Sequence, residues 1–182
     1  MEIFSPAAAS PKPIKPGELT GSSRVVKDYV ADIHSCVQKW NDTMNHGVPL
    51  LKNIEAIKVD ESFPNGLQEI CDDLEKDVNR FNEIVCSLEV IVKQLRSVVK
   101  FNHGKEKLFR AWPDEYFVDA ANLIYNSYRQ EAIVKQTVLE NVAHDHRLEA
   151  QMLHRAAWIH EPMIPYDLNK TLESMLIETG YK

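Results

Sequence analysis

Residues 67–99 read LQEICDDLEKDVNRFNEIVCSLEVIVKQLRSVV, and this stretch decides the fold. Its apolar residues recur at alternating intervals of four and three residues: Leu67, Cys71, Leu74, Val78, Phe81, Val85, Leu88, Val92, Leu95 and Val99. This seam is typical of a long helix packed against other helices, and it predicts a helix over residues 66–101. Such a helix depends on tertiary packing, so the seam needs partner helices from this chain or from another.

A second apolar row widens the stripe that the seam makes on this helix. It consists of Ile70, Ile84, Ile91 and Val98, each one position before a seam residue. Two adjacent rows are too wide for a simple two-stranded coiled coil. They favour a helical bundle that shares a core with a partner.

The composition is that of an ordinary globular protein. The chain has 182 residues, of which 44% are hydrophobic and 26% are charged, so one domain with a tail is expected. The net charge of -6 argues against broad binding of nucleic acid. No apolar run is long enough to cross a membrane, and no signal peptide opens the sequence. The three cysteines form no CxxC pair and favour a reducing compartment, the cytosol or the nucleus.

The segment before the seam predicts a tail and another long helix. Residues 1–23 are rich in Ala, Ser, Pro and Lys and are interpreted as a disordered tail. Ser23 is expected to cap a first helix. The face of that helix carries Val26, Val30, Ile33, Val37, Trp40 and Met44. Residues 46–49, which end in proline, are expected to interrupt it. After a turn at residues 62–66 the seam helix folds back, so residues 24–103 are predicted to form an antiparallel hairpin.

Further helices are predicted in residues 104–182. The pair Trp112-Pro113 opens the third helix, because proline is favoured at the first helical position. Its core-facing residues are Phe117, Ala121, Ile124, Tyr128, Ala132, Val138 and Val142. The predicted fold class is therefore all-α: an antiparallel helical hairpin or coiled-coil bundle, with additional C-terminal helices packing against it.

The last two predicted helices are short. The fourth is expected over residues 145–160, before Pro162. Its apolar side would consist of Leu148, Met152, Ala156 and Ile159. The fifth is expected to start at Pro165 and to end at Gly180. Its apolar residues are Leu168, Leu172, Met175 and Leu176.

The histidines and acids give no metal or catalytic site. The sequence has seven histidines, and the closest two stand in His144-Asp145-His146, a spacing that does not put both rings on one helical face. No HExxH or GxGxxG motif occurs, so no metal, cofactor or catalytic residue is predicted. The acids Asp72, Asp73, Glu75 and Asp77 are expected to face solvent, without the burial that tunes a general acid. A Cys–His nucleophile pair stays open, although Cys71 lies on the seam, where packing is its simpler role.

Charge along the seam helix is polarised, with acids near its start and bases near its end. The basic run consists of Lys93, Arg96, Lys100, Lys105, Lys107 and Arg110. Two interpretations are open. The charges complement the helix dipole, or the basic run is a patch that binds phosphate or a partner.

Three tryptophans and two serines are the remaining candidates for function. Trp40 and Trp158 are interpreted as anchors of a core or an interface. Trp112, in a loop beside the basic run, either packs on its own bundle or binds a partner. In the tail, Ser5-Pro6 and Ser10-Pro11 fit minimal sites of proline-directed phosphorylation, which makes Ser5 and Ser10 phosphorylation candidates.

Several short strings then carry a resemblance to a known family. They are Leu108-Phe109-x-x-Trp112-Pro113, Phe117, Tyr128-Arg129, Glu131, Lys135, Thr137-Val138, Ala143-His144, Trp158-x-His160-x-Pro162 and Leu172-Glu173-Ser174-Met175-Leu176-x-Glu178-Thr179-Gly180. The first helix adds Lys27-Asp28, Ala31-Asp32, His34 and Lys39-Trp40. In these strings the chain resembles the cyclin-dependent kinase 2-interacting protein family, over most of its length after the tail.

The resemblance implies a non-enzymatic adaptor of nuclear complexes, with a cytoplasmic pool allowed. Implied partners are a cyclin-dependent kinase, the origin-firing kinase and a checkpoint kinase partner, and also a small coiled-coil partner with AAA-ATPase subunits. The implied processes are DNA replication, cell division, DNA-damage signalling and repair, replisome turnover and ribosome maturation. Direct binding of nucleic acid or membrane is not expected, and no catalytic residue or cofactor comes with the family.

Partner choice is expected after Gly104, because heptad positions alone discriminate poorly between partners. The predicted partner-binding residues are Trp112, Pro113, Leu172, Met175 and Leu176. The alternative function is a structural homo-oligomeric coiled coil, which the uneven layers around Trp40 and Phe81 disfavour. A small helical hydrolase is a third hypothesis without a supporting motif.

Overall fold

The structure, a computed structural model, describes residues 21–103, 105 and 107–181. Within them the chain forms α-helices and no β-strand, which confirms the all-α fold class. The helices are α1 (Gly21–Ile57), α2 (Leu67–Asn102), α3 (Asp114–Val142), α4 (Leu148–His160) and α5 (Leu168–Glu178). The predicted tail, with Ser5 and Ser10, lies outside the described residues apart from its last three positions, which are part of α1.

The helices form a four-helix bundle in which two short helices take the place of the fourth helix. In the predicted hairpin α1 and α2 are antiparallel, since Trp40 meets Phe81 while His46, further along α1, meets the earlier residue Asp77. α3 packs antiparallel on the other side of α2. α4 and α5 follow one another along the groove between α1 and α3, so two short helices together occupy the fourth position.

The seam of α2 is buried within this chain. Eight of its ten positions are buried, and Cys71 and Val85 are half-buried. α1 and α3 cover it from two sides, which also explains why the second row on α2 is needed. The partner helices that the seam requires are therefore supplied by the chain itself. Sharing of this seam with a second chain, the basis of the homo-oligomeric alternative, is not required.

Aromatic rings fill the centre of the bundle. The Trp40 ring centroid lies 4.2 Å from that of Phe81 and 4.8 Å from that of Tyr128. Trp158 reaches across from α4 to within 5.5 Å of Phe81. All four side chains are buried. Because they come from four different helices, this cluster fixes the helices relative to one another.

The expected interruption of the first helix at residues 46–49 is wrong. α1 continues through Pro49 to Ile57. Proline inside a helix costs about 3 kcal/mol. The buried residues Leu51 and Ile54, in the following turn, offset this cost because each contributes about 1.5–3 kcal/mol of apolar burial.

Gly47 does not break the first helix, as was expected of residues 46–49. A glycine stands there because of the packing of Trp158. A Cβ atom built at Gly47 would lie 2.3 Å from Cζ2 of Trp158. The same tryptophan donates a hydrogen bond of 3.0 Å from Nε1 to the carbonyl oxygen of Met44. The absent side chain therefore lets the indole of α4 lie directly on the backbone of α1.

Two expectations about helix ends and faces also need correction. Ser23 does not cap α1; it lies inside the helix, and its hydroxyl donates a hydrogen bond of 3.1 Å to the carbonyl oxygen of Leu108.

α4 begins at Leu148 and turns Gln151 and Trp158 inward, while the expected core residues of this helix are exposed or half-buried. The amide of Gln151 explains the orientation, because Nε2 donates 2.7 Å to the carbonyl oxygen of Val142 and closes the α3–α4 turn.

A buried ion pair joins α3 to the chain that follows α4. Nζ of Lys135 lies 2.9 Å from Oε1 of Glu131, an ionic contact without hydrogen-bond geometry. Nζ also donates a hydrogen bond of 2.5 Å to the carbonyl oxygen of Trp158. Burial raises the pKa of Glu131 and lowers the pKa of Lys135, since it disfavours either charge. Oε2 of Glu131 accepts a hydrogen bond of 2.9 Å from the backbone N–H of Met163. The pair thus fixes both the end of α4 and the turn after it.

Glu161 makes the turn from α4 toward α5. Its φ of 48° is in the left-handed region, which ends the helix. Its Oε1 accepts a hydrogen bond of 2.6 Å from Nε1 of Trp40 and lies 3.8 Å from Nζ of Lys135. These contacts offset the strain of a non-glycine residue in this conformation. None of the described helices is long and apolar enough to span a membrane.

Candidate partner-binding surface

The segment between α2 and α3 brings the predicted Trp-Pro pair to one end of the bundle. We call residues 107–113 the Trp-Pro loop. Its Phe109 is buried, 5.0 Å from the ring of Phe117, and anchors the loop to the core. The Trp-Pro pair opens α3 as predicted, but Pro113 is the N-cap, one position before the first helical residue, and its fixed φ of -59° suits a helix start.

Asp114, the first residue of α3, closes the Trp-Pro loop onto α2. Oδ1 accepts a hydrogen bond of 3.0 Å from the backbone N–H of Leu108, and Oδ2 accepts one of 2.8 Å from Nδ2 of Asn102. A carboxylate at this position also interacts favourably with the helix dipole. One side chain therefore connects the end of α2, the loop and the start of α3.

Glu178, near the end of α5, holds the other side of the Trp-Pro loop. Its Oε1 accepts hydrogen bonds from the backbone N–H groups of Ala111, at 2.7 Å, and of Trp112, at 3.3 Å. Lys27 of α1 donates 2.7 Å to the carbonyl oxygen of Gly180. The structure thus brings together the Trp-Pro pair and the end of the last helix, two regions that the sequence predicts separately as recognition elements.

The end of α5 has the glycine geometry expected from the sequence. Gly180 has a φ of 65°, a conformation that glycine adopts without strain. The backbone N–H of Tyr181 donates 2.9 Å to the carbonyl oxygen of Leu176, a hydrogen bond that satisfies the helix terminus. The prediction that Gly180 ends the helix is confirmed.

The position of Trp112 is compatible with both roles that the sequence leaves open, packing on the bundle and binding a partner. Its ring is half-buried, 5.2 Å from the ring of Phe117 and 6.2 Å from that of Tyr116. One side of the indole therefore packs on the bundle and the rest is accessible beside the exposed Tyr116. We call Trp112, Pro113, Tyr116 and the neighbouring Glu178 the Trp-Pro surface.

A cleft of about 470 Å³ adjoins this surface. It lies between the start of α1, the Trp-Pro loop and the end of α5, and its lining includes Lys27, Phe109, Arg110 and Ile177. Ile177 is exposed, whereas Phe109 is buried. The lining thus combines apolar and charged side chains, as protein-binding surfaces commonly do.

The predicted binding residues of α5 lie in the core. Leu172, Met175 and Leu176 are buried, facing α1 and α3 and not solvent. A partner at this helix would contact its exposed residues, such as Ile177. That Trp112, Pro113, Leu172, Met175 and Leu176 bind a partner stays a prediction, and the role of the last three is to hold α5 in place.

A second concave region lies between α2 and α3, where the basic run ends. This groove of about 640 Å³ has Val99 and Val118 among its lining residues. Its α2 side carries Arg96, Lys100 and His103, and its α3 side carries Glu115 and Asp119. The acids opposite the bases weaken the interpretation of the run as a phosphate-binding patch, because they would repel an anion.

One of the four acids expected in solvent is instead fully buried. Asp77 accepts a hydrogen bond of 2.7 Å from Nδ1 of His46 on α1 and lies 3.4 Å from Nη1 of Arg80. The sequence contains a sign of this. The second apolar row runs at intervals of seven through Ile84, Ile91 and Val98. Asp77 lies seven residues before Ile84 and therefore occupies a position of the same row.

The cysteines and histidines form no reactive cluster in the part of the chain that the structure describes. No group of three His, Cys, Asp or Glu residues there lies close enough to hold a metal ion. Cys36 is buried and Cys71 half-buried, and burial raises the pKa of both thiols. A nucleophilic cysteine needs the opposite shift, so these two residues do not support a Cys–His nucleophile pair.

Comparison with known proteins confirms the resemblance. The chain is similar to Cyclin-dependent kinase 2-interacting protein of Homo sapiens, with 26% identity over 195 residues, which cover 90% of this chain and 92% of the human protein. The protein of the same name from Xenopus laevis is 26% identical over 208 residues, covering 100% of this chain and 99% of the relative. The Mus musculus protein is 24% identical over 214 residues with the same coverage. No family model matches the chain.

Many of the residues that carry the resemblance lie in two places in the structure. One set is the buried centre of the bundle: Trp40, Tyr128, Glu131, Lys135 and Trp158. The other set is the Trp-Pro surface with its supporting residues. The first set maintains the fold. The second set is the accessible part, and it is the better candidate for contact with a partner.

Proposed function

We propose that this chain is a non-enzymatic adaptor that binds a cyclin-dependent kinase through the Trp-Pro surface. The similar proteins are named for interaction with such a kinase, and the similarity extends over 90% or more of the chain. The observation that carries the proposal is the attachment of the Trp-Pro loop to α5 by Glu178. This attachment presents a partly exposed tryptophan on a rigid support, an arrangement that loses little conformational entropy on binding.

The finer proposal concerns the complexes that the adaptor serves. We propose a nuclear protein that links a cyclin-dependent kinase with the origin-firing kinase and with a checkpoint kinase partner. It would also be the helical subunit that pairs with a small coiled-coil partner in an AAA-ATPase assembly for replisome turnover and ribosome maturation. The support is the family resemblance alone. Recovery of these partners with the tagged chain from nuclear extract would support this proposal. Loss of a partner with the Trp112 variant below would show that its recovery depends on the Trp-Pro surface.

The Trp112→Ala variant tests the kinase contact. We expect it to weaken binding of purified cyclin-dependent kinase 2, measured by isothermal titration calorimetry, at least about tenfold, because a tryptophan buried in a partner contributes on the order of 2–4 kcal/mol. The matched control is Phe63→Ala, which removes an exposed aromatic ring from the α1–α2 connection, at the other end of the bundle. This control should bind like the native chain.

A thermal melt of each variant separates recognition from folding. Half of the indole packs on Phe117, so a small decrease in melting temperature is expected for Trp112→Ala. Unchanged kinase affinity in the variant would contradict the proposal. A large decrease in melting temperature, with binding intact at low temperature, would assign Trp112 to the core alone.

A further inference from the structure

The cleft beside the Trp-Pro surface is lined by two cations that have no ionic partner in the bundle. They are Lys27 of α1 and Arg110 of the Trp-Pro loop. Nζ of Lys27 donates its hydrogen bond to a neutral group, the carbonyl oxygen of Gly180, and the side chain of Arg110 is exposed. Within the part of the chain that the structure describes, neither cation forms an ion pair. Both charges are therefore available to a bound group.

The acid among the described lining residues, Glu178, is already used by the Trp-Pro loop. Its Oε1 accepts hydrogen bonds from the backbone N–H groups of Ala111 and Trp112. Hydrogen bonds from two donors stabilise the negative charge of this carboxylate and direct it toward the loop. Two exposed acids of the neighbouring helices, Asp28 and Glu115, are not part of the lining. The charge that the cleft offers to a ligand is thus positive.

The positive charge continues beyond the cleft over this end of the molecule. Lys107 is exposed in the Trp-Pro loop, and Arg24 is exposed in the first turn of α1, which contains no acid. The hydrogen bond from Ser23 to Leu108 places these two cations on neighbouring segments. The chain as a whole has a net charge of -6, so this end reverses the overall sign. A local surface of one sign attracts a segment of the opposite sign.

We propose that this cleft binds an acidic peptide segment, which in the complex belongs to the partner kinase. Carboxylates of the segment would pair with Arg110 and Lys27, since a guanidinium group matches a carboxylate in shape as well as in charge. An apolar side chain of the segment would cover Ile177, which is 60% exposed in the lining. This exposed aliphatic residue and the net negative charge of the chain favour a peptide over a nucleic acid as the occupant. The inference rests on the proposed function, because it assigns the segment to the kinase.

Arg110→Glu tests the contact in the complex with cyclin-dependent kinase 2. The charge reversal should raise the dissociation constant, measured by isothermal titration calorimetry, about tenfold or more. Binding of the native chain should also weaken as the ionic strength rises from about 0.05 M to about 0.3 M, because salt screens exposed charges. Lys52→Glu is the matched control, since it makes the same reversal at an exposed position near the far end of α1. It should bind like the native chain, and circular dichroism of both variants should stay native.

The comparison with Trp112→Ala separates this inference from the proposed function. If Trp112→Ala weakens kinase binding and Arg110→Glu does not, the Trp-Pro surface binds the kinase without an acidic segment. That result would overturn the inference and leave the proposed function intact.

A peptide probe tests the cleft without the kinase. The probe is a synthetic peptide of glutamates around a central leucine, and its control has glutamine in place of every glutamate. In two-dimensional amide NMR spectra of the isotope-labelled native chain, the glutamate peptide should shift the resonances of Arg110, Ile177 and Gly180. The glutamine peptide should leave them in place, and Arg110→Glu should abolish the shifts.

The peptide result decides the preference of the cleft even if the kinase does not bind. Shifts by the glutamate peptide without kinase binding would contradict the proposed function and still support an acidic ligand. Absent shifts, equal shifts by the glutamine peptide, or stronger shifts of the same resonances by oligothymidylate would overturn the inference.

Discussion

At the scale of single residues, buried polar and missing side chains decide how the helices meet. Lys135, Glu131 and Asp77 occupy positions that the helical pattern assigns to apolar residues, and each has a charged or polar partner, which for Asp77 is the exposed side chain of His46. Gly47 is the reverse case, a position where even a methyl group has no room. Periodicity marks the position of Asp77 as buried, but it does not identify the partner of a buried polar residue or the lack of space at Gly47, because these depend on residues of other helices.

Gly47→Ala should destabilise the protein, although alanine is the better helix former by about 1 kcal/mol. The added methyl group would overlap the indole of Trp158 and force it to move, with an expected net loss of about 1–3 kcal/mol. Urea unfolding followed by circular dichroism measures the change. Asn45→Ala, on the exposed side of the same helix, is the control and should not lower the free energy of unfolding. Equal stability of Gly47→Ala and the native chain would show that the indole is free to shift.

At the scale of secondary-structure elements, α2 and α3 were predictable, whereas α1 and the two short helices were predictable only in part. The regular seam placed α2 within one residue of its observed ends, and the core face of α3 was also correct. α4 is different because its large aliphatic residues lie outside the buried face, and a sequence of 13 residues does not say which side faces inward. Gln151 and Trp158 settle that choice through contacts with α3 and α1. The attachment of Glu178 to the Trp-Pro loop likewise joins residues 67 positions apart, beyond any local pattern.

The turn between α3 and α4 should make stability depend on acidity. Nε2 of His154 lies 2.6 Å from Oδ2 of Asp145, and this hydrogen bond lowers the pKa of Asp145 below its ordinary value of 3.8. The folded state therefore holds this proton less readily than the unfolded state, so the contribution is complete above that value and is lost as pH falls through the lowered pKa.

Asp145→Asn removes this contribution, and its effect should vanish in acid. We expect the variant to be less stable than the native chain at pH 7, with a difference that shrinks as the pH falls below about 4. Thermal melts over this range check the expectation. Asp28→Asn, an exposed acid on α1, should show no such trend. A difference that stays constant down to the lowest pH would show that the effect of Asp145 is not electrostatic.

At the scale of the whole molecule, one buried ion pair connects α3 with the end of α4, with the turn after it and with α1. Lys135 and Glu131 of α3 contact the end of α4, the turn at Met163 and, through Glu161, the indole of Trp40 on α1. Removal of one member leaves the other charged and buried, which costs about 3–5 kcal/mol in comparable pairs.

Lys135→Met should therefore destabilise the chain strongly, whereas the double variant Lys135→Met with Glu131→Gln should recover part of the loss. Glutamine keeps an acceptor for the backbone N–H of Met163 but carries no charge. The free energy of unfolding of the native chain, the single variant and the double variant, measured in urea, gives the comparison. A double variant no more stable than Lys135→Met would show that the buried charge is not the cause.

The division of the fourth bundle position between α4 and α5 gives the molecule a joint. α1, α2 and α3 are continuous rods, but the fourth rod is broken by the left-handed turn at Glu161. A continuous helix would leave its groove only as one unit. A jointed one can release the 11 residues of α5 while α4 stays anchored by Trp158, so local opening of the bundle has a defined place. Since α5 also carries Glu178, each such opening would release the backbone of Ala111 and Trp112, while Phe109 and Asp114 keep the rest of the Trp-Pro loop attached. The rigidity of the candidate binding surface therefore depends in part on the stability of a single short helix.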